Sequence, residues 1–166
     1  MADTHGLLRP EALAFLGGCS LIIHAGDIGE PAILDALGRI APVIAVRGNN
    51  DTQPWAGRLK SAEFVQVGAV LVYAIHDRAQ IGTDLRASGV RVVVCGHSHQ
   101  PRIEECGGLL FVNPGSAGPR RFKLPVTMGE LRIEGAAVSA RITDLLAAAG
   151  PRHEPAASLG LPTSHE

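Results

Sequence analysis

Leu21-Ile22-Ile23-His24-Ala25-Gly26-Asp27 decides the fold. A short, apolar, β-branched run halted by glycine and an acid reads as a buried strand of a covered sheet. Pro42-Val43-Ile44-Ala45-Val46 has the same character and is halted by Gly48-Asn49-Asn50-Asp51. Between them, residues 30–40 place Ile33, Leu34 and Leu37 on one helical face. Strand, helix and strand make a βαβ unit with polar side chains after each strand. In open α/β sheets that carboxyl edge is where ligands bind.

The pattern continues outward from this unit. Residues 63–67 and 70–75 read as a hairpin around Gly68, ending in His76. Residues 81–88 read as a helix closed by Gly89, and 91–95 as a third buried strand stopped by Gly96-His97-Ser98-His99. Residues 102–105 and 109–112 pair across Gly107-Gly108 and lead into the tight turn Asn113-Pro114-Gly115-Ser116. Residues 126–133 and 137–142 form a last hairpin, and 52–60 a loop holding Trp55. Upstream, Asp3-Thr4-His5-Gly6 precedes a short helix over 10–16, opened by Pro10 and ended by Gly17-Gly18. Early helices followed by late hairpins predict two sheets packed face to face with helices outside, a four-layer α-β-β-α sandwich. The domain is expected over 1–146. Residues 147–166, with Pro151, Pro155 and Pro162, read as a flexible C-terminal tail in which His153 and His165 are solvated.

Composition narrows the function classes. The 166 residues suit one domain with a real core. A net charge of -1 offers no footprint for bulk nucleic acid or an anionic membrane. Cys19, Cys95 and Cys106 form no C-x-x-C pair, and the polar start of the chain does not read as a signal peptide. No apolar run approaches the roughly 20 residues that span a bilayer. The expectation is a cytoplasmic protein with reduced thiols.

The side chains delivered after the strands carry the chemistry. Asp3, His5, Asp27, Asn49, His76, His97 and His99 supply oxygen and nitrogen and no thiolate. Such a set suits borderline divalent ions, Mn, Fe, Ni, Co or Zn, rather than a cysteine-rich structural zinc. It serves two ions if one carboxylate bridges them, and Asp27 is the candidate bridge. His24 lies inside its strand and reads as packed or as a support for a ligand. Glu11 and Asp35 read as solvated helix faces and Cys95 as an inert core thiol. Asp51 reads first as a turn stabiliser, and Asp77 as a helix cap. Arg120-Arg121 reads equally well as a phosphate clamp or a solvated basic pair.

In this order, Asp3-x-His5, Gly26-Asp27, Gly48-Asn49-x-Asp51, His76 and Gly96-His97-Ser98-His99 resemble the calcineurin-like metallophosphoesterase superfamily. With Asn113-Pro114-Gly115-Ser116 and the small size, they look most like its YfcE-type bacterial and archaeal phosphodiesterases. The resemblance runs to about residue 145. It implies one metal held by Asp3, His5, Asp27 and His99 and a second by Asp27, Asn49, His76 and His97. A hydroxide bridging two divalent ions (Mn, Ni, Fe or Zn) would attack phosphorus in line. Asp27, Asn49 and His97 are the residues expected to carry catalysis, on a small soluble phosphoester, in a chain that could form a homodimer.

The sequence departs from the family in three places. Asn50 stands where the protein-phosphatase branch has a histidine that protonates the leaving group, and an amide is no acid near neutral pH. Good leaving groups, or protonation by water, are therefore expected. Asp77 stands where many relatives have glycine. Only Met1 and Ala2 precede Asp3, where relatives have an apolar central strand, so neighbouring strands would lack a partner. A coding start upstream of Met1 is the favoured explanation. The alternatives to a phosphodiesterase are a non-catalytic scaffold, as in the retromer subunit of this architecture, and a phosphomonoesterase.

Overall fold

The computed structural model describes residues 1–147 and 157–159. The apolar runs become strands close to where the sequence places them. β1 (Ile22–His24) and β2 (Val43–Ala45) pair in parallel, with His24 opposite Ala45. β3 (Ala62–Val67) and β4 (Val70–Ile75) form the hairpin around Gly68. β5 (Val90–Val94) lies parallel to β4 and to β7 (Leu109–Asn113), and β6 (Arg102–Cys106) pairs antiparallel with β7. The result is a five-stranded sheet of order β3-β4-β5-β7-β6. β8 (Thr127–Glu134) and β9 (Ala137–Asp144) form the last hairpin.

Two short helices cover the β1-β2 pair. α1 (Pro10–Phe15) and α2 (Pro31–Gly38) each begin with proline, whose missing N–H costs nothing in a first turn. Ala12, Ile33 and Leu37 point inward and meet Ile22, Ile28 and Met128. Between the sheets, Ala25, Val72, Val92, Val94, Leu110 and Val138 make the central core. Tyr73, Ile75, Val93 and Leu109 pack on the outer face of the five-stranded sheet.

The layering agrees with the expectation except in its last layer. No helix forms over 81–88. A single 3-10 turn, Arg78–Gln80, is followed by irregular turns. Asp84 Oδ1 accepts hydrogen bonds from the backbone N–H groups of Arg86 and Ala87, giving them partners that compete with a helix. Gly82 adds a further cost to helix formation. Leu85 is buried all the same, so the segment covers the sheet without being helical. Residues 157–159 also differ from the reading as tail, because β10 (Ala157–Leu159) pairs antiparallel with β9. The rest of the expected tail beyond residue 147, with His153 and His165, lies outside the described residues.

Met1, Ala2 and Asp3 run beside β1 in parallel register. The Met1 amine donates to Ile23 O at 2.8 Å, Ala25 N donates to Met1 O at 2.9 Å, and Asp3 N donates to Gly26 O at 3.0 Å. On the other side, Ala117 N donates to Ala2 O at 3.0 Å. Thus three residues stand where a central strand was expected to be lacking. They tie β1 to the segment leading into β8, but only at its end nearest the polar loops.

Candidate metal centre

The carboxyl ends of β1, β2, β4 and β5, together with the stub at Met1, open toward one point. Asp27 follows β1, Asn49 follows β2, His76 follows β4 directly, and His97 and His99 follow β5. Sharp turns aim them. Asp3, His5, Asp27, His97 and His99 have φ of 56°, 45°, 54°, 69° and 58°, in the left-handed region that non-glycine residues rarely adopt. Five strained residues among seven candidate ligands mark a site where geometry is held against a backbone cost. Close approach also requires glycine: a Cβ on Gly26 would sit 2.7 Å from His76 Nδ1, and one on Gly48 would overlap the Asp27 carboxylate.

The structure brings all seven expected residues together, in two groups with Asp27 between them. In the first, His5 Nε2 lies 3.4 Å from His99 Nε2 and 3.8 Å from Asp3 Oδ1, and His99 Nε2 lies 3.5 Å from Asp3 Oδ1. In the second, Asn49 Oδ1 is 3.0 Å from both His76 Nε2 and His97 Nδ1. Asp27 Oδ2 is 3.7 Å from His5 Nε2 and 3.4 Å from His76 Nε2, so one carboxylate oxygen reaches both. Asp3, Asp27, His76 and His99 are buried, while Asn49 and His97 face solvent. The open side is therefore that of Asn49 and His97.

A cation fits this donor set. Both Asp3 carboxylate oxygens are buried without a hydrogen-bond partner among the described residues. Burial pushes the Asp3 carboxyl up to about 7, with Asp27 adding to the rise against His76. A buried acid with no donor is costly, and a divalent ion resolves that cost. Asp27 is different. Burial pushes it up, yet hydrogen bonds from His76 and from the backbone and amide of Asn50 outweigh that and hold it well below the ordinary carboxylate range. Burial lowers His5, and lowers His99 to about 4, leaving both rings neutral and fit to coordinate. His76 moves upward: burial opposes this, but contact with Asp27 prevails, while its Nδ1 donates to Ala25 O at 2.7 Å. That bond leaves Nε2 to face the site.

The residues around this set acquire roles that the sequence left open or gave no sign of. Asp51 is a turn stabiliser, as read. Its Oδ1 accepts from Ile28 N at 2.9 Å and Gly29 N at 3.0 Å, and its Oδ2 from Gly48 N at 2.9 Å, joining the loops after β1 and β2. Asp77 caps the 3-10 turn through Ala79 N. Asn50 N and Nδ2 donate to Asp27 at 2.8 and 2.6 Å. His24 supports rather than ligates: Thr4 Oγ1 donates to Ile28 O, so its contact with His24 Nε2 at 2.9 Å makes that ring nitrogen the donor. Nothing in the sequence around Thr4 announces this contact, which spans 20 positions. The Asn113-Pro114-Gly115-Ser116 turn also positions the site. Asn113 Nδ2 donates to Gly96 O and Ser98 Oγ, and Ser116 Oγ donates to Asp3 O at 2.9 Å. The exposed Arg121 guanidinium reaches within 3.4 Å of His5 Nε2, which brings it to the edge of the site.

Comparison with known proteins identifies the family. A model of the calcineurin-like phosphoesterase superfamily domain matches residues 1–136. A probable metallophosphoesterase of Methanothermobacter thermautotrophicus is 38% identical over 157 residues, 86% of this chain and 88% of that protein. Another, of Methanocaldococcus jannaschii, is 36% identical over 116 residues, 65% of this chain and 58% of that protein; the aligned stretch spans little more than half of that relative. Among solved structures, vacuolar protein sorting 29 from Cryptosporidium parvum superposes with a TM-score of 0.79 at 19% identity, covering 97% of this chain and 96% of that one. YfcE, a phosphoesterase from E. coli, superposes with a TM-score of 0.62 at 23% identity, covering 83% and 88%. At those identities the structural likeness speaks for the fold alone. The family match over most of the chain goes further: this chain belongs to the calcineurin-like phosphoesterase superfamily.

Proposed function

We propose that this protein is a metal-dependent phosphodiesterase acting on a small soluble phosphoester. The observation that carries the reading is the placement of Asp27 Oδ2 between two groups of ligand-type side chains, 3.7 Å from His5 and 3.4 Å from His76. One divalent ion would be held by Asp3, His5, Asp27 and His99, and a second by Asp27, Asn49, His76 and His97. Bound there, the ions would supply Lewis-acid charge for phosphoryl oxygens and an activated water nucleophile.

The chain's own residues define what the site accepts. Ionised Asp27 links the two groups, and the Asn50 amide fixes its carboxylate plane. Asn49 and His97 stand at the open side, where a substrate phosphoryl group enters. Arg121, beside His5, supplies a planar guanidinium that can pair with phosphate oxygens. No proton donor stands at Asn50, since its amide keeps its protons near neutral pH. The leaving oxygen must then depart unaided or take a proton from water, which favours aryl and other stable leaving groups. That is why a diester with a good leaving group fits better than an alkyl phosphomonoester.

The test uses purified protein loaded with Mn, Ni, Fe or Zn and assayed on bis-p-nitrophenyl phosphate. Hydrolysis that stops with chelator and returns with metal is the expected result. Protein that binds two ions per chain yet cleaves no diester, monoester or nucleotide would leave only the scaffold reading. Faster cleavage of p-nitrophenyl phosphate than of the diester would make it a phosphomonoesterase instead.

A further inference from the structure

Among the described residues, six other than glycine have φ in the left-handed region. Five are the candidate ligands Asp3, His5, Asp27, His97 and His99; the sixth is Phe122, at 51°. For a bulky side chain that value is an outlier, and backbone strain of this kind gathers at functional sites. Phe122 is also 97% exposed, against 50% for Phe64, the next most exposed large apolar side chain described. Neither burial nor backbone preference accounts for a phenylalanine at this position.

The loop that carries Phe122 leaves the site at one residue and returns to it at another. Its start is wedged against the backbone between the ligand candidates Asp3 and His5: a Cβ on Gly118 would overlap Thr4 O, and Arg9 Nε donates to Gly118 O at 2.9 Å. Its tip is a tight turn in which Leu124 N donates to Arg121 O at 3.0 Å, with Phe122 and Lys123 at the corners. Its end is fixed where Thr127 N donates to Ser116 O. Arg121, next to Phe122, brings its guanidinium to 3.4 Å from His5 Nε2. Arg120, Arg121 and Lys123 are exposed and form no ion pair among the described residues. Three uncompensated cations in four residues therefore surround the ring at the edge of the candidate metal centre.

We propose that this tip selects a nucleotide diester, whose base stacks on the Phe122 ring while Arg121 and its neighbours Arg120 and Lys123 offset the phosphate charge. The inference deepens the phosphodiesterase reading and rests on it. An aromatic ring among cations suits a base and its phosphate together, because every base has a flat π face and the cations follow the backbone charge. A phenyl ring offers no hydrogen bond to a base edge, so the identity of the base should matter little. One ring on one turn seats one base, and a chain of net charge -1 has no basic track for a polymer. The nucleoside is the group retained. Water adds to phosphorus, the bond to the other ester oxygen breaks, and that oxygen takes its proton from water, since Asn50 supplies none. A nucleoside monophosphate remains.

The experiment compares the unaltered protein with Phe122→Ala and Phe122→Trp, each loaded with Mn. The substrates are thymidine 5′-p-nitrophenyl phosphate and methyl p-nitrophenyl phosphate, which share a leaving group and differ in the nucleoside. The ratio of their kcat/KM values is read. The unaltered protein should prefer the thymidine ester, and Phe122→Ala should cut that preference roughly tenfold, the scale of one lost base–aromatic stack. Phe122→Trp keeps a ring and should keep the preference. Cleavage of both esters with the same ratio in all three proteins would overturn the proposal and leave the phosphodiesterase reading standing. So would a Phe122→Trp protein that loses the preference as fully as Phe122→Ala, because the ring would then not be what counts. Cleavage of neither ester would instead remove the phosphodiesterase reading. Base recognition is then read from calorimetric titration of the Mn-loaded proteins with AMP and with ribose 5-phosphate. Phe122→Ala should weaken AMP about tenfold more than ribose 5-phosphate, and equal weakening of the two would overturn the proposal.

Discussion

The two sheets deliver parts of the same site by different means. The five-stranded sheet is continuous, and β4 and β5, flanked on both edges, present His76, His97 and His99. The other sheet is split, and it presents Asp3, His5, Asp27 and Asn49 from three-residue strands and a three-residue stub. What long strands do on one side is done on the other by loop-to-loop bonds. His5 N and Gly6 N donate to Asp27 O and Ile28 O, Asp51 joins the turns after β1 and β2, and Ser116 clasps Asp3. A short strand can aim a ligand accurately if the turn that follows it is tied to its neighbours.

The largest expected effect tests the contribution of each sheet to activity. Asp27→Asn, in the split sheet, should lower diesterase activity by about a thousandfold or more, because it serves both groups of ligands. His76→Ala, in the continuous sheet, should leave a measurable rate, roughly a hundredfold down. Equal residual rates, compared at saturating metal, would remove Asp27 from its role as bridge.

The next effect concerns stability. Asp51→Ala strips partners from three backbone N–H groups at once, two of them fully buried, and should cost about 3–5 kcal/mol in urea unfolding. Asp51→Asn keeps one acceptor oxygen and should cost less than half as much. A loss below about 1 kcal/mol for Asp51→Ala would mean that the split sheet does not depend on this staple.

How much of this was legible in the sequence follows the same division. Strand ends carrying glycine and a ligand residue were readable because apolar runs and turn residues are local signals, and all seven ligand candidates converge. Asp77 was readable as a cap for the same reason. The missing helix over 81–88 was not, because the spacing of Ile81 and Leu85 suits a helix while Asp84 offers the backbone a rival bond. Long-range clasps were hidden as well. Ser116 and Asp3 lie 113 positions apart in the chain, and nothing in either local sequence announces that they touch. The Thr4–His24 contact and the approach of Arg121 to His5 are of the same kind. That Met1 to Asp3 bond beside β1, with a cavity between Ile23 and Leu131, also needed coordinates.

Packing offers a finer comparison of the sheets. Leu110 is fully buried in the continuous sheet, and Leu131 is half-buried on the wall of a cavity between β1 and β8. Leu110→Ala should cost about 2–5 kcal/mol, the range for a buried leucine with little room to relax. Leu131→Ala removes contacts that are already incomplete and should cost roughly 1 kcal/mol or less. Matching losses, read as urea midpoints at constant m-value, would mean that the cavity wall is packed as tightly as the intact core.

The smallest effect involves no loss of function or fold. Cys95 sits just past β5 in the continuous sheet, and burial pushes its thiol up to about 11. Only a thiolate reacts readily, so at pH 8 Cys95 should stay unmodified in the folded protein. Cys19, half-buried beside the cavity between β1 and β8, and exposed Cys106 should be alkylated. Mass spectrometry after iodoacetamide treatment should therefore show two labels in the native state and three after denaturation. A third label appearing natively at the rate of the other two would place an opening within the sheet that looks continuous, and the contrast between the two sheets would not survive it.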